Sequence, residues 1–175
     1  RMHKLVNLGP VQANVSQNNI HMAAPNQAAI LVDDSNRSVF TNNTLSGYNR
    51  GVWITDESYN NVVNHNKLKE ESQASFQASS SQPENHFNTT VDGVAQGNWW
   101  ADIPANNLLI FDNNADSWGD TGSQYPYNST NGASVSGYVN DWGPQPVEDL
   151  TFTTTLVDPL AAWFLNDSIK FECNA

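Results

Sequence analysis

The sequence has few charged residues and very few basic ones. Of its 175 residues 14% are charged, and 7 Lys and Arg stand against 18 Asp and Glu, which gives a net charge of -11. Nucleic-acid binding depends on basic side chains that displace phosphate counterions. This class of partner is therefore excluded, and an anionic membrane surface is disfavoured. Cations and neutral glycans are compatible with such a surface.

Cysteine and long apolar runs are also scarce. Cys173 is the one cysteine, so no intrachain disulfide can form, and the alternatives are an unimportant buried thiol or a bridge to another chain. No apolar run reaches about 18 residues, so the sequence predicts no membrane-spanning helix. With 38% apolar residues the chain can bury one core, which predicts a single domain with at most a small appendage.

Polarity comes instead from Asn, Ser, Thr and Gln, and about 25 residues are Asn. Six Asn-X-Ser/Thr sequons occur, and the four predicted glycosylation sites among them are Asn14, Asn36, Asn128 and Asn166. A chain so rich in these residues also contains sequons by chance. Chance occurrence is therefore the alternative to glycosylation at each position.

A repeat of about 23 residues runs through the first hundred residues. Shifting the sequence by this interval aligns apolar positions: Met22, Leu45, Leu68 and Val91 in one column, Ile30, Trp53 and Phe76 in another, and Val39 with Val62. Short β-branched runs that recur at this interval are typical of stacked coils whose strands pair in parallel. The sequence therefore predicts an all-β fold, a right-handed parallel β-helix. An antiparallel β-sandwich is the alternative, and the match across several columns argues against it.

A polar column accompanies the apolar ones and consists of Asn19, Asn42, His65 and Asn88. Asn at a coil corner tolerates left-handed backbone and can hydrogen-bond to the coils above and below it. We expect Asn42 and Asn88 to belong to an internal Asn ladder rather than to carry glycans. His65 is expected to be a member of the same ladder, bonded to Asn42 or Asn88, rather than a catalytic residue.

The repeat stops near residue 97, which divides the chain into three parts. Residues 1–96 are predicted to form the coils, residues 97–146 a closing or cap module, and residues 147–175 a β tail. The tail contains the alternating segment TFTTTLV and is a candidate for subunit contacts by strand addition.

The closing segment carries a family resemblance. GNWWADI at residues 97–103, followed by acidic residues and then Tyr125-Pro126-Tyr127, resembles the closing module of NosD-like proteins. With the repeat, the resemblance covers residues 15–145, while Ser117, Trp118 and the tail depart from it. It implies a right-handed parallel β-helix of the pectate-lyase-type superfamily in an extracellular or cell-surface protein. Polysaccharide lyases, hydrolases and epimerases share this fold, and the fold alone assigns none of their activities.

An acidic loop in this module is a candidate metal site. Its alternating oxygen-bearing residues are Asp112, Asn114, Asp116 and Asp120. Oxygen ligands at such spacing suit calcium. Ser117 and Ser123 replace the Gly and Glu of an EF-hand, and the alternative is a turn in which Asp and Asn bond their own backbone. Copper, which the family name suggests, would have Met2, His3, His21 and Met22 as ligands, but these form no sustained cluster.

Two further features bear on carbohydrates. Asp33 and Asp56 fall in one column, and one coil of separation would place them about 5 Å apart, as a pair of glycosidase carboxylates requires. The alternative is a repeated, solvated Asp at a turn. Trp99, Trp100 and Trp118 could stack on sugar rings or could cap the apolar end of the coils.

These observations favour a non-catalytic extracellular or cell-surface β-helix that forms or decorates a larger assembly, such as a filament, sheath or virion appendage. The first coil has no visible cap, and an open coil must be covered by another segment or another copy. A carbohydrate-active β-helix, either an enzyme or a glycan-binding module, is the alternative function.

Overall fold

The computed structural model describes residues 7–8, 12–22, 28–69 and 76–146. The predicted β tail, with Asn166 and Cys173, lies outside the described residues, as do Met2 and His3. Within the described part, no helix is long and apolar enough to cross a membrane.

Three parallel sheets make up the body of the protein, with strands numbered here in chain order. Sheet 1 contains, in spatial order, β1 (Asn7–Leu8), β4 (Ala28–Val32), β7 (Arg50–Ile54), β10 (Phe76–Ser80) and β15 (Val135–Gly137). Sheet 2 contains β2 (Asn14–Ser16), β5 (Val39–Thr41) and β8 (Val62–Asn64). Sheet 3 contains β3 (Asn19–His21), β6 (Thr44–Ser46), β9 (Lys67–Leu68) and β13 (Trp99–Trp100).

The chain visits sheets 1, 2 and 3 in turn and then returns to sheet 1, and we call each such passage a coil. All pairings inside the three sheets are parallel. This confirms the prediction of an all-β chain built from parallel strands and contradicts the β-sandwich alternative.

Helices and antiparallel pairs are minor additions to the sheets. The described helices are α1 (Asp102–Ala105) and one 3₁₀ turn (Ser129–Asn131). One antiparallel pair joins β11 (Thr89–Val91) to β12 (Val94–Gln96), and the other joins β14 (Tyr127–Asn128) to β16 (Asn140–Asp141). Because β13 and β15 extend sheets 3 and 1, the predicted closing module shares its sheets with the coils.

The coils are less uniform than the 23-residue repeat predicts. Val39 pairs with Val62 and Leu45 with Leu68 as expected. In the first coil, however, Ile20 rather than Met22 lies beside Leu45. The interval there is 25 residues because the connection between β3 and β4 is longer than the connection between β6 and β7.

The other differences between the observed strand pairing and the 23-residue repeat have the same cause. Turns differ in length from coil to coil, while the inward apolar positions of the strands are kept. Ile30 pairs with Val52, and Trp53 pairs with Leu31 and Ser79, so the predicted column of Ile30, Trp53 and Phe76 is wrong. The β11–β12 hairpin is inserted into the fourth coil. Trp100 therefore lies beside Leu68, where the repeat placed Val91.

One apolar core fills the space between the sheets. Alternate side chains of a strand point to opposite faces, so β4 and β7 place Val32 and Ile54 inside, fully buried. The inward residues of sheets 2 and 3 continue the same cluster: Phe40, Val63, Leu45, Leu68 and Trp100.

Candidate functional site: the polar ladder and its two ends

A column of buried Asn side chains connects the coils at the corner between sheets 2 and 3. Asn43 donates from both its backbone N and its Nδ2 to Oδ1 of Asn66, at 3.0 and 2.9 Å. Asn66 donates in the same way to Oδ1 of Asn98, at 3.1 and 3.0 Å. Each Nδ2 also reaches carbonyl oxygens, as Asn66 does at Phe40 and Asn64. The amide therefore satisfies backbone groups of neighbouring coils that no strand pairing reaches.

The predicted ladder is correct in kind and wrong in its members. Asn42 and His65 occupy the left-handed corner position, with φ of 55° each, immediately before the true rungs Asn43 and Asn66. Asn42 is exposed. His65 bonds Gln96 through Nε2 at 3.0 Å and lies 5.4 Å from the Trp118 ring, between ring centroids. A positive φ turns the Asn42 and His65 side chains away from the core, which a repeat interval cannot reveal.

A second polar column runs beside sheet 2, and the columns of the 23-residue repeat did not include it. The backbone N of Ser38 donates to Oδ1 of Asn61 at 2.9 Å, and that of Asn61 donates to Oδ1 of Asn85 at 3.0 Å. All three residues are buried. The intervals of 23 and 24 residues between Ser38, Asn61 and Asn85 could have indicated this column. The change of residue type from Ser to Asn obscured it.

The ladder ends at Asp141 on the C-terminal side. Its Oδ2 accepts from the backbone N of Asn98 at 2.8 Å and from Nε1 of Trp100 at 2.8 Å, and its Oδ1 accepts from the backbone N of Gly143 at 3.0 Å. The side chain is fully buried. A carboxylate accepts hydrogen bonds and has no N–H to offer a further rung, so Asp141 terminates the column.

Burial controls the protonation of this carboxyl group. Removal from water raises the pKa of Asp141 to about 7, although the N–H groups of Gly143, Trp100 and Asn98 act to lower it. Asp102, at the start of α1, is a second buried acid whose pKa burial raises. Its Oδ1 accepts from the Tyr127 hydroxyl at 2.7 Å and its Oδ2 from the backbone N of Ser134 at 2.7 Å.

Aromatic rings close the core between these two acids. The rings of Trp100 and Tyr127 are stacked, with centroids 4.5 Å apart and planes 17° apart. Trp100 donates to Asp141, and Tyr127 donates to Asp102. Both rings are fully buried, so neither offers a face to solvent.

At its N-terminal end the ladder finishes in an exposed residue rather than a buried one. Asn18 donates from N and Nδ2 to Oδ1 of Asn43, both at 3.0 Å, and it is exposed. No described residue donates to its own Oδ1. The outer edges of β1, β2 and β3 likewise pair with no described strand. Val15 and Ile20 pack on the core but are only partly buried, whereas their counterparts one coil on are fully buried.

The acidic loop forms a network with its own backbone. Asp112 accepts from the backbone N of Asn114 and Asp116 through Oδ1, and from Ser117 through Oδ2 at 2.7 Å. Asp120 accepts from the backbone N of Asn113 at 3.0 Å. Within the described residues, no group of three or more His, Cys, Asp or Glu is arranged to hold a metal ion. Calcium binding at Asp112, Asn114, Asp116 and Asp120 stays a prediction.

The three tryptophans predicted to bind carbohydrate differ in how far they are buried. Trp100 exposes no surface and Trp99 is 9% exposed, while Trp118 is partly exposed beside His65. Nε1 of Trp99 and Oδ1 of Asn64 are buried with no partner in the described part of the chain. Of these three tryptophans, Trp118 is thus the ring that offers a face to solvent. Carbohydrate binding by this set stays a prediction.

Asp33 and Asp56 are both exposed. The register of β4 and β7 shifts by one residue from the repeat, since Val32 pairs with Ile54. The Thr55 hydroxyl donates to Oδ1 of Asp33 at 2.5 Å.

The predicted glycosylation sites differ in accessibility. Asn14 and Asn36 are exposed, and Asn36 Oδ1 accepts from the backbone N of Tyr59 at 2.8 Å. Asn128 is partly buried, caps the 3₁₀ turn and donates to Asn140. Glycosylation at all four stays a prediction.

A polar surface concavity lies beside the turns that precede sheet 2. It measures about 410 Å³ and is lined by Gln12, Asn36, Arg37, Tyr59 and Asn60. Arg37 and Asn60 have positive φ, of 59° and 58°. Apart from the 23-residue spacing of its paired positions, no sequence pattern indicates this site.

Stacked parallel coils with an internal Asn ladder define a class of repetitive all-β proteins. Residues 7–105 match the family described as periplasmic copper-binding protein (NosD), and because this is more than half of the chain, the protein belongs to the NosD family. Comparison with curated proteins and with solved structures gives no match.

The described residues do not fit the copper of the family description. Met22 is buried in the apolar core, and Nδ1 of His21 lies 3.1 Å from the Ser46 hydroxyl. Both ring nitrogens of His65 have partners, Asn64 and Gln96. Copper prefers several converging imidazole or sulfur ligands, and the described part of the chain brings no such set together.

Proposed function

We propose that this protein is a non-catalytic, exported right-handed parallel β-helix that forms or decorates a larger assembly at the cell surface. The observation that supports the proposal is the difference between the two ends of the polar ladder. The C-terminal end finishes in a buried carboxylate under aromatic rings, and the N-terminal end finishes in exposed Asn18. The ladder therefore finishes in a side chain without an N–H donor on one side and in an acceptor that no described residue uses on the other, and we place further coils on that second side.

The chemistry of the N-terminal edge supports the same function. Proteins that remain monomeric protect sheet edges with charged residues or proline. Residues 12–22, QANVSQNNIHM, contain no Asp, Glu, Lys, Arg or Pro. In a chain with a net charge of -11, this stretch is unusually free of repulsive charge.

The non-catalytic part of the proposal rests on the carboxylates. Asp33 bonds Thr55, and the buried acids Asp102 and Asp141 hold aromatic and backbone donors of the cap. A glycosidase needs two carboxyl groups facing one cleft. The family description, which includes the word periplasmic, supports export.

The test is the state of association of the full chain as a function of concentration. We expect light scattering and electron microscopy to show ordered assemblies that grow with concentration. Ile20→Lys should dissolve them, because it places a charge at a partly buried inward position of β3. Ile20→Val, which keeps an apolar side chain at the same inward position, is the matched control and should leave them intact. A monodisperse single chain at every concentration would refute the proposal.

A second candidate function is glycan binding, favoured by the polar concavity. Tyr59 supplies an aromatic ring, and Gln12, Arg37 and Asn60 supply hydrogen-bonding groups around it. Aromatic rings with polar groups beside them suit the mixed apolar and polar faces of a sugar.

Isothermal titration with neutral oligosaccharides tests this candidate. We expect saturable binding that Tyr59→Ala abolishes and that Tyr138→Ala, at an exposed ring elsewhere, leaves unchanged. Equal binding by both variants would rule out the concavity as the site.

A further inference from the structure

The corners of the first three coils share a six-residue pattern that becomes visible once the structure has placed the ladder. An inward apolar residue is followed by an outer residue, a left-handed residue, the ladder residue, another outer residue and a second inward apolar residue. The three examples are residues 15–20 (VSQNNI), 40–45 (FTNNTL) and 63–68 (VNHNKL). Their left-handed residues are Gln17, Asn42 and His65, with φ between 55° and 58°.

Residues 164–169, FLNDSI, repeat this pattern in the tail. When the sequences are aligned, Phe164 and Ile169 fall at the inward positions, Asn166 at the left-handed position and Asp167 at the ladder position. Asn is among the non-glycine residues that most readily adopt a left-handed backbone. Leu156-Val157-Asp158 repeats the Leu31-Val32-Asp33 sequence at the end of β4, with its Asp nine residues before Asp167, where Asp33 lies ten residues before Asn43. The tail therefore carries the pattern of one whole coil.

From this match we propose that residues 151–170 of one copy form an additional coil on the open N-terminal edge of a second copy. This inference rests on the proposed self-assembly and names the segment that makes the contact. In it, Phe164 covers Val15, Ile169 covers Ile20, and the backbone N of Asp167 donates to Oδ1 of Asn18.

The two ends of the ladder decide where this coil can dock. The Asp141 carboxylate accepts from Asn98 and Trp100 and has no N–H for a further rung, so the proposal places the tail at the other end of the ladder. Asn18, at the other end, has an acceptor that no described residue uses. Asp167 lacks the Nδ2 donor of the other rungs, so in this contact its backbone N alone would bond to Asn18.

The position and length of the tail favour a second copy over the same chain. The chain leaves the described part at the cap, where Gln145 bonds Asn98 beside the last rung. Four ladder steps separate Asn18 from Asp141, about 19 Å at the spacing of paired strands. A neighbour stacked beyond the cap presents its open edge close to the tail, and the tail of 29 residues exceeds one coil of 22–25 residues. Repetition of this contact gives an open, head-to-tail filament.

Two full-length variants test the inference. Ile169→Lys places a charge at an inward position of the proposed coil, whereas Ser168→Lys places the same charge at the adjacent outer position. We expect the first to shift assemblies to single chains, with at least a tenfold rise in the concentration needed for assembly, and the second to behave as the parent. A synthetic peptide of residues 151–170 should block assembly of the parent chain, and the same peptide with Ile169→Lys should not.

The outcomes separate this inference from the proposed function. If the parent assembles but Ile169→Lys and the peptide have no effect, self-assembly stands and the tail contact is wrong. If the parent is a single chain and Ile169→Lys increases hydrogen exchange at residues 14–21, the tail covers its own edge, which overturns both proposals.

Discussion

Single side chains decide how the coils are held in register. Within a sheet the strands supply their own hydrogen bonds, but at a corner the backbone turns away and its amide groups need other partners. Asn43, Asn66 and Asn98 provide them, since one amide offers two donors and an acceptor.

Removal of one rung should be costly. In Asn66→Ala the carbonyls of Phe40 and Asn64 lose a donor, and the backbone N of Asn43 loses its acceptor, all in a buried place. We expect a loss of about 2–4 kcal/mol in the free energy of unfolding, measured by chemical denaturation. Asn19→Ala, at an exposed site, should change it by no more than about 0.5 kcal/mol. Equal effects would contradict a structural role for the ladder.

The buried acid at the end of the ladder should make stability depend on pH. The pKa of Asp141 is raised from 3.8 to about 7, so between these values the folded chain keeps a proton that the unfolded chain releases. The stabilisation is fully present below about pH 4 and is lost as the pH rises to about 7, by roughly 4 kcal/mol. The raised pKa of Asp102 acts in the same direction.

Asp141→Asn should flatten this dependence in urea titrations across the same pH range. Asp56→Asn is the matched control, because it makes the same change at an exposed carboxylate. A parent protein that gains stability as the pH rises from 4 to 7 would show that the N–H donors around Asp141 outweigh its burial.

At the scale of elements, the closing module depends on close packing rather than on regular structure. Gly97 lies where β12 turns into β13, and a Cβ added there would stand 1.7 Å from Oδ1 of Asp141. Gly93, in the β11–β12 turn, has a φ of +85° but no atom within 4 Å of such a Cβ.

Alanine substitution at Gly97 is the test, and the same substitution at Gly93 is its control. We expect Gly97→Ala to lower the free energy of unfolding by at least about 3 kcal/mol, because the Asp141 contacts must break. Gly93→Ala should cost only about 1 kcal/mol, from backbone strain alone. Thermal unfolding measures both, and a larger loss for Gly93→Ala would show that the turn, not the ladder end, limits the cap.

The acidic loop is an element whose ion binding can be tested directly. Calcium would have to displace the backbone donors that Asp112 and Asp120 now accept, so we expect binding in the millimolar range. About 5 mM CaCl₂ should raise the unfolding temperature more than the same concentration of MgCl₂. Asp116→Asn should remove the difference. An equal response of the parent to both salts would contradict a calcium site.

At the scale of the whole molecule, the net charge of -11 opposes both folding and association. Screening weakens repulsion between surface carboxylates over distances beyond the Debye length, about 10 Å at 0.1 M salt. We expect NaCl between about 0.02 and 0.5 M to lower the concentration needed for assembly, followed by light scattering. Assemblies that dissolve in salt would instead point to ion pairs across the contact.

The sequence allowed a correct prediction of strands, parallel pairing and family, because inward apolar residues recur once per coil. The interval from Val39 to Val62 equals that from Leu45 to Leu68 because the short corner between sheets 2 and 3 has the same length in both coils. The prediction failed at Met22 and Val91, where a longer turn and an inserted hairpin change the interval without disturbing the core.

The candidate site was only partly predictable for a related reason. A polar ladder could be expected from an Asn-rich repeat, but Asn42 and Asn43 are neighbours of one residue type, and only backbone φ separates the outer one from the rung. The role of Asp141 required its contact with Asn98, which lies 43 residues away in the chain.

The sequence by itself determined the class of fold, because the recurrence of apolar and turn-forming residues is a local property that each coil repeats. Only the tertiary structure decided which Asn residues are buried, which residue ends the ladder and which strand edges pair with no described strand. Those properties depend on contacts between coils and on burial from water, and residues far apart in the chain create both.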